Sequence, residues 1–378
     1  MMDLSEIRKD IDRIDRGIVE LYEERMKLCG DVADYKISTG KKVLDKEREL
    51  EKLQTLSGLV KDENNQFGVK ELFTQIMAIS RKHQYKKLVE NGISEEHGFD
   101  MIGKLPDTPV VVYQGEPGSY AYEATVSYFG EDVNCHNVSS WRQAMEEIKR
   151  GKSDYGVFPI DNSTAGVVGG VYDLLVEYDN YIVAETFVKV NHALLGVKGS
   201  KIEDIKTIYS HPQALMQCEA YLREKNWTQM SYSNTATSAL KVSEDGDKSV
   251  AAIASKLAGK LYNLDVLAEN INSSENNTTR FVIVGNKKEF VEKADKLSLC
   301  FEIVHESGSL YNTLSHIIYN GLNMTKIESR PIPEKTWEYR FFIDIDGNIN
   351  EPAVQNAVLG MKNETNNFRI LGNYEKVN

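Results

Sequence analysis

The sequence predicts a multidomain chain: an all-α three-helix module, then a two-lobed α/β body, then an α+β ferredoxin-like unit. Three observations lead there. All eight prolines lie beyond residue 105, at 106, 109, 117, 159, 212, 331, 333 and 352, so the first quarter can hold unbroken helix while the rest is punctuated by turns. An apolar stripe runs through residues 4–35 at spacings of three and four. Beyond residue 109, short apolar runs alternate with helical patterns, the signature of α/β layers. A length of 378 residues calls for more than one core at ~100–200 residues per domain. The expected parts are 1–92, a linker over 93–108, a body over 109–286 and a C-terminal unit over 296–378.

The stripe of the first part consists of Leu4, Ile7, Ile11, Ile14, Ile18, Leu21, Leu28, Val32 and Tyr35. A helix of this length extends ~50 Å at 1.5 Å per residue, too long for a compact module of some ninety residues, so the stripe is expected to meet a second copy. Further helices are expected near 45–57 and 68–88. One position in the seam is a cation, Arg25, and a polar residue there can simply set register. Its neighbourhood suggests more. Lys36 lies about three turns on, along the same face. Asp45, Arg48 and Glu49 open the second helix, and Ser80 and Gln84 sit one turn apart on the third. Converging cations with neutral donors suit a small, multiply negative ligand. No nucleophile stands beside a base, so covalent chemistry is not indicated.

These positions resemble the all-helical class of chorismate mutase across residues 4–88, with Arg8, Arg25, Lys36, Asp45, Arg48, Glu49, Ser80 and Gln84 at the family's spacings. The resemblance implies that Arg8 of a partner copy and Arg25 hold the two carboxylates of chorismate. Arg48 and Glu49 position the ring and its hydroxyl, with Asp45 and Ser80 in the same binding set. Lys36 and Gln84 donate to the ether oxygen, where negative charge develops as the bond breaks.

The stretch 91–109 contains Gly92, Gly98, Gly103, Pro106 and Pro109 among polar residues and reads as the linker. Strand-like runs follow at 110–113, 155–160, 182–188, 193–197, 205–209, 250–254 and 281–284. The body is long enough for two lobes with a cleft. Gly115-Glu116-Pro117-Gly118-Ser119 lacks the Lys-Ser/Thr of a phosphate-binding loop, and no GxGxxG follows a strand. His192, His211 and His305 are isolated and read as structural histidines, not metal ligands.

Four segments concentrate hydroxyl and amide groups at strand ends: 115–124, 159–166 (PIDNSTAG), 210–218 (SHPQALMQC) and 277–281 (NTTRF). Each alone is compatible with turn and cap chemistry. Together, in this order, they resemble prephenate dehydratase. The resemblance implies that Thr279 is the hydroxyl nearest the leaving group, acting as a positioned hydrogen bond. Asp161, Asn162, Ser163, Ser210 and Gln217 would bind prephenate, and Arg280 would be a carboxylate anchor or a structural brace. Asp161 stands where the family usually has glutamate, one methylene longer.

From residue 297 the pattern is βαββαβ, a ferredoxin-like unit. Glu328-Ser329-Arg330-Pro331 followed by WEYRFFID resembles the ACT domain attached to prephenate dehydratases. That likeness implies phenylalanine as effector, held by Gly308, Ser309, Leu310, Glu328, Ser329 and Arg330. The chain reads HESGSL where the family commonly has proline before the glycine, which leaves that loop less rigid.

Charge and composition narrow the partners. The net charge of -12 lies entirely beyond residue 92, since residues 1–92 hold eighteen basic and eighteen acidic side chains. No basic stripe interleaves with aromatics, which disfavours nucleic acid. No apolar run reaches a membrane span, and the start MMDLSEIRKD has no signal-like apolar region. Cys29, Cys135, Cys218 and Cys300 are scattered, as in a reduced, cytoplasmic protein. The sequence therefore reads as a cytoplasmic, cofactor-independent, homodimeric or larger enzyme of phenylalanine biosynthesis, taking chorismate to prephenate and then to phenylpyruvate. Three alternatives remain open from sequence alone. The helical module could serve only in regulation or dimerisation, the chain could be a non-catalytic amino-acid sensor, or arogenate could replace prephenate.

Overall fold

A computed structural model describes residues 3–93, 96–333, 335 and 337–377. Met1 and Met2 at the start, Ser94 and Glu95 of the expected linker, and residues 334, 336 and 378 lie outside the described residues. The chain divides into two units, Met1–His97 with Leu299–Arg369, and Gly98–Ser298 with Ile370–Asn378.

The first unit begins with α1 (Leu4–Thr39), α2 (Lys46–Gly58) and α3 (Gln66–Glu90). At 36 residues α1 is ~54 Å long. It ends at Gly40, whose φ of 67° is the left-handed geometry glycine supplies at helix ends. The Asp45 carboxylate accepts from the Arg48 amide and caps α2. Small residues set the α1–α3 contact: Gly30 and Ala33 are the buried positions of α1, and Lys87 of α3 donates to the Gly30 carbonyl at 3.1 Å and to Asp34 at 2.6 Å. Among the described residues, nothing covers most of the long stripe. Ile11 is 50% exposed, Ile18 54% and Leu21 68%.

The second unit opens with β1 (Asp100–Ile102), which pairs in parallel with a late strand, Glu289–Val291. The expected linker is therefore partly structured; a three-residue strand is too short to leave a period in the sequence. Its first lobe comprises β2 (Val110–Gln114), α4 (Tyr120–Phe129), β3 (Asn134–Val138), α5 (Trp141–Lys149), β4 (Tyr155–Asn162), β5 (Gly166–Val167), α6 (Gly169–Tyr178) and β6 (Tyr181–Lys189). The second lobe comprises β7 (Ala193–Gly196), β8 (Thr207–Ser210), α7 (Pro212–Gln217), α8 (Glu219–Arg223), β9 (Thr228–Ser231), α9 (Thr235–Asp245), β10 (Val250–Ala254), α10 (Lys256–Leu261) and β11 (Asp265–Ala268). The chain then returns as β12 (Thr278–Gly285) and continues into β13 (Glu289–Val291).

The lobes are built on two sheets, β3-β2-β4-β12-β6 with β5 on β4, and β11-β7-β10-β8-β9. In the first, β2 lies in parallel between β3 and β4; in the second, β8 lies in parallel between β9 and β10. Successive crossovers thus leave β2 and β8 in opposite directions. The carboxyl ends of such strands are where open α/β sheets leave a crevice, and both lobes present that end to the same cleft.

The C-terminal elements are β14 (Lys296–Glu302), α11 (Ser309–Tyr319), β15 (Met324–Pro331), β16 (Tyr339–Asp346), α12 (Pro352–Glu364) and β17 (Asn366–Tyr374). They form one sheet in the order β15-β16-β14-β17, matching the βαββαβ expectation. Most of this domain shares a unit with the helical module, because α3 packs on its two helices: Tyr85 meets the His316 ring edge-on at 5.9 Å, and Val43, Tyr85 and Leu359 form one buried cluster.

Candidate functional sites

The helical module holds a cavity of about 970 Å³ lined by Arg25, Lys36, Asp45, Arg48, Glu49, Ser80 and Gln84 together with Arg81. Seven of the eight positions named from the sequence thus converge. The eighth, Arg8, lies on α1 seventeen residues before Arg25, ~25 Å away along the axis, outside this cavity. Arg25 donates to the Ser80 hydroxyl at 2.5 Å. Lys36 donates to the Val43 carbonyl at 2.7 Å and to the Gln84 carboxamide oxygen at 3.0 Å, and Gln84 in turn donates to the Ser80 carbonyl. Because an ammonium can only donate, it fixes which way the Gln84 amide points. Burial lowers the Lys36 ammonium from its ordinary range, opposed by the carboxylates of Asp45 and Glu49.

Arg81 was not singled out in the sequence. It presents Nη1 to both oxygens of Glu49, at 2.8 and 2.6 Å. A cation on the face of α3 beside Ser80 was the available signal, but its partners could not be read.

The body holds a second cavity, of about 460 Å³, between its lobes. Gln114, Gly115, Ser119 and Tyr120 from the end of β2 line it, with His211, Gln213 and Gln217 after β8, and Asn162 and Thr279 on neighbouring strands. Asn162 is held completely. Its oxygen accepts from the Thr164 amide, the Thr164 hydroxyl and the Ala165 amide, at 3.0, 2.8 and 2.8 Å. Its nitrogen donates to Asn277 and to Thr279 Oγ1, both at 2.8 Å. With its oxygen accepting from Asn162, the Thr279 hydroxyl keeps its own proton for donation.

His192, read from the sequence as an isolated structural residue, lines this cavity. Its Nε2 lies 3.0 Å from the Gln217 oxygen and its Nδ1 3.0 Å from the Tyr120 hydroxyl. Gln217 donates to Thr164 through its nitrogen, so in this assignment Nε2 carries the imidazole proton and Nδ1 accepts from Tyr120. Burial pushes the His192 pKa down, favouring the neutral ring.

Other residues in the expected prephenate set do not line the cavity. β4 and β12 pair Thr279 with Asn162 and Arg280 with Asp161. Strand alternation sends the second pair to the opposite face from the first. There Arg280 donates to Glu185 at 2.7 Å and to the Tyr374 hydroxyl at 2.8 Å, and lies 3.6 Å from Asp161. Arg280 and Asp161 thus belong to one ionic network with Glu185. Ser163 donates to the Asn276 carbonyl and accepts from the Thr278 amide, tying the PIDNS turn to β12.

Ser210 is fully buried and donates to the Ile253 carbonyl at 2.7 Å. Ser210→Ala should therefore lower unfolding free energy by about 1 kcal/mol through the lost buried hydrogen bond, measured by urea titration, with prephenate KM little changed.

In the C-terminal domain a cavity of about 390 Å³ is lined by Gly308, Ser309, Leu310, Tyr339 and Phe341 among others. Gly308 precedes α11 with a φ of 83°, a left-handed position that a glycine takes without strain. Glu328, Ser329 and Arg330 sit on edge strand β15, outside this cavity; Ser329 lies opposite Phe341 in the register. The other half of the expected effector set is thus one strand away.

Among the described residues, no group of three or more His, Cys, Asp or Glu could hold a metal ion, and no helix is long and apolar enough to cross a membrane.

Residues 7–85 match the family of type II chorismate mutases, and residues 111–289 match prephenate dehydratase. A bifunctional chorismate mutase/prephenate dehydratase of Aquifex aeolicus is 32% identical over the whole of this chain and 99% of its own length. The arogenate dehydratase/prephenate dehydratase 1 of Arabidopsis thaliana, a chloroplastic protein, is 36% identical over 76% of each chain. Among solved structures, the prephenate dehydratase of Arthrobacter aurescens in complex with L-Phe superposes with a TM-score of 0.66 at 28% identity. It covers 71% of this chain and 90% of its own.

Proposed function

The chain belongs to the bifunctional chorismate mutase/prephenate dehydratases, and from that premise we propose how it divides two consecutive reactions between two cavities. The helical module rearranges chorismate to prephenate. The two-lobed body converts prephenate to phenylpyruvate, and L-phenylalanine inhibits as the pathway's end product. The observation that carries this reading is the pair of separate cavities, each lined by polar residues from one of the two family matches.

In the helical cavity Arg25 meets one substrate carboxylate, and Arg8 of a second copy supplies the other cation. Arg48 and Glu49 hold the ring and its hydroxyl, with Asp45 and Ser80 alongside. Lys36 and Gln84 donate to the ether oxygen as the C–O bond breaks and the new C–C bond forms. The reaction is intramolecular, so orientation and charge stabilisation suffice. The bare stripe on α1 and the remoteness of Arg8 support a homodimer in which each copy completes the other's site.

In the body cavity the electrons of the C–CO2⁻ bond move into the ring as carbon dioxide leaves. The ring C–OH bond breaks in the same event, and Thr279 donates its hydrogen bond to the departing hydroxide. Asn162 holds Thr279 in that orientation, while Gln217 and neutral His192 contribute polar wall. The C-terminal domain takes the part of an ACT domain, with L-phenylalanine near Gly308, Ser309 and Leu310, and with Glu328, Ser329 and Arg330 contributing from β15. The four cysteines are free thiols, which supports the cytoplasm as the setting.

Purified chain given chorismate, prephenate or arogenate, with and without L-phenylalanine, tests this. Chorismate consumption and phenylpyruvate formation, both lowered by L-phenylalanine, are expected. Unconsumed chorismate would remove the mutase, and a preference for arogenate would rename the second substrate. The mutase arm has a pH signature. Lys36 must be protonated to donate, and its pKa is lowered, so the rate should fall on the alkaline side at a pH below the ordinary lysine value of 10.5. Lys36→Arg should move that limb upward in a pH–rate profile.

A further inference from the structure

Arg81 spans two carboxylates that are far apart in sequence. Nη1 meets both oxygens of Glu49, and the other edge of the guanidinium forks onto Glu364 of α12, with Nε to Oε1 at 2.8 Å and Nη2 to Oε2 at 3.2 Å. The Arg81 and Glu364 side chains are 10% and 9% exposed, and Glu49 is 26% exposed toward its cavity. His316 of α11 closes the far side, its Nε2 lying 3.3 Å from Glu364. The ring fits only because α12 carries Gly360 there; a Cβ at that position would collide with the imidazole.

A second contact runs in parallel. Leu359 of α12 packs with Val43 and Tyr85, and the Val43 carbonyl is the one that accepts from Lys36. Burial alone would raise the Glu364 carboxyl, but the neighbouring His316 ring and the charge and hydrogen bonds of Arg81 hold it down to about 2. Glu364 therefore stays ionised and keeps its grip on Arg81 at neutral pH.

We propose that Arg81 and Glu364 are positioning residues for Glu49, so that helix α12 of the C-terminal domain forms a supporting wall of the chorismate site. The inference rests on the mutase reading of that cavity. A carboxylate on its own would swing between rotamers and be repelled by a substrate with two carboxylates. Pinned by Nη1 of a guanidinium whose other edge Glu364 holds in a fork, it presents one face to the ring hydroxyl and its charge is partly offset. Because Glu49 contacts the same hydroxyl in substrate and transition state, its loss should appear in KM more than in kcat.

The test is a mutant cycle on the full chain. Arg81→Lys keeps the charge and loses the fork. It should raise KM for chorismate ~10-fold with kcat within about twofold. In a Glu49→Gln background the same change should have less than about a twofold effect, the non-additivity of two residues acting through one contact. The isosteric Glu364→Gln provides an independent arm. It should raise the same KM ~3-fold and add nothing once Arg81 is lysine. Turnover of prephenate should be unchanged in all three. An unchanged KM in Arg81→Lys, or effects that add fully to Glu49→Gln, would overturn the inference, because a merely structural role lowers stability without caring what stands at 49. If the unmodified chain fails to consume chorismate, the mutase reading falls first.

Discussion

Thr279→Val should lower turnover of prephenate ~10²–10³-fold, the usual scale for losing one preorganised donor at developing negative charge, while chorismate consumption stays unchanged. Valine matches threonine in shape but offers no proton, so any loss belongs to the hydroxyl. Asn162 already donates to Thr279 Oγ1 at 2.8 Å, which orients the hydroxyl proton away from Asn162. In Thr279→Val that donor nitrogen keeps its 2.8 Å bond to Asn277, so the turn is retained. Thr279→Ser should recover much of the rate, since it restores the proton and loses only the methyl that restricts rotation. The comparison is read from phenylpyruvate absorbance with saturating prephenate. Equal activity in Val and wild type would mean that the departing hydroxide takes its hydrogen bond elsewhere, with the neutral His192 and Gln217 pair first in line.

Residues that share a helix face were legible in the sequence, and residues joined through tertiary contacts were not. Arg25 and Lys36 are eleven residues apart, and Ser80 and Gln84 four. Helical periodicity alone puts each pair on a common face, and one cavity collects all four. The βαββαβ order was equally readable, because each of its elements carries a full period. In the body, residues were read as blocks, and a strand separates a block by parity. Asn162 and Thr279 face the cavity, while their chain neighbours Asp161 and Arg280 turn to an ionic network with Glu185. Ser210 has the right hydroxyl in the right stretch, yet its position at the end of β8 buries it against Ile253.

Arg81 and His192 take their places through long-range contacts. Arg81 meets Glu364 across 283 positions, and His192 meets Tyr120 across 72 and Gln217 across 25. Neither separation leaves any periodic trace. The ion pair also explains why the first and last segments, expected as independent parts, share one unit.

Lys36→Ala should do the reverse of the Thr279 change, lowering the mutase rate ~10³-fold with prephenate turnover intact. Among the groups that touch the cavity, Lys36 sits where burial weakens its hydration, and a charge-assisted hydrogen bond is stronger in such a place. Its effect belongs to kcat, because the ether oxygen gains charge only as the C–O bond breaks. Truncation also releases the Gln84 oxygen and the Val43 carbonyl, so Gln84 is free to turn and its own donation is lost in part. Two consequences separate these contributions. Gln84→Ala alone should cost less than Lys36→Ala, and the double variant should fall short of the product of the two, since one residue orients the other. Both are measured as kcat for chorismate, with prephenate turnover as the internal control. If Lys36→Ala damages both activities alike, the two cavities do not divide the work.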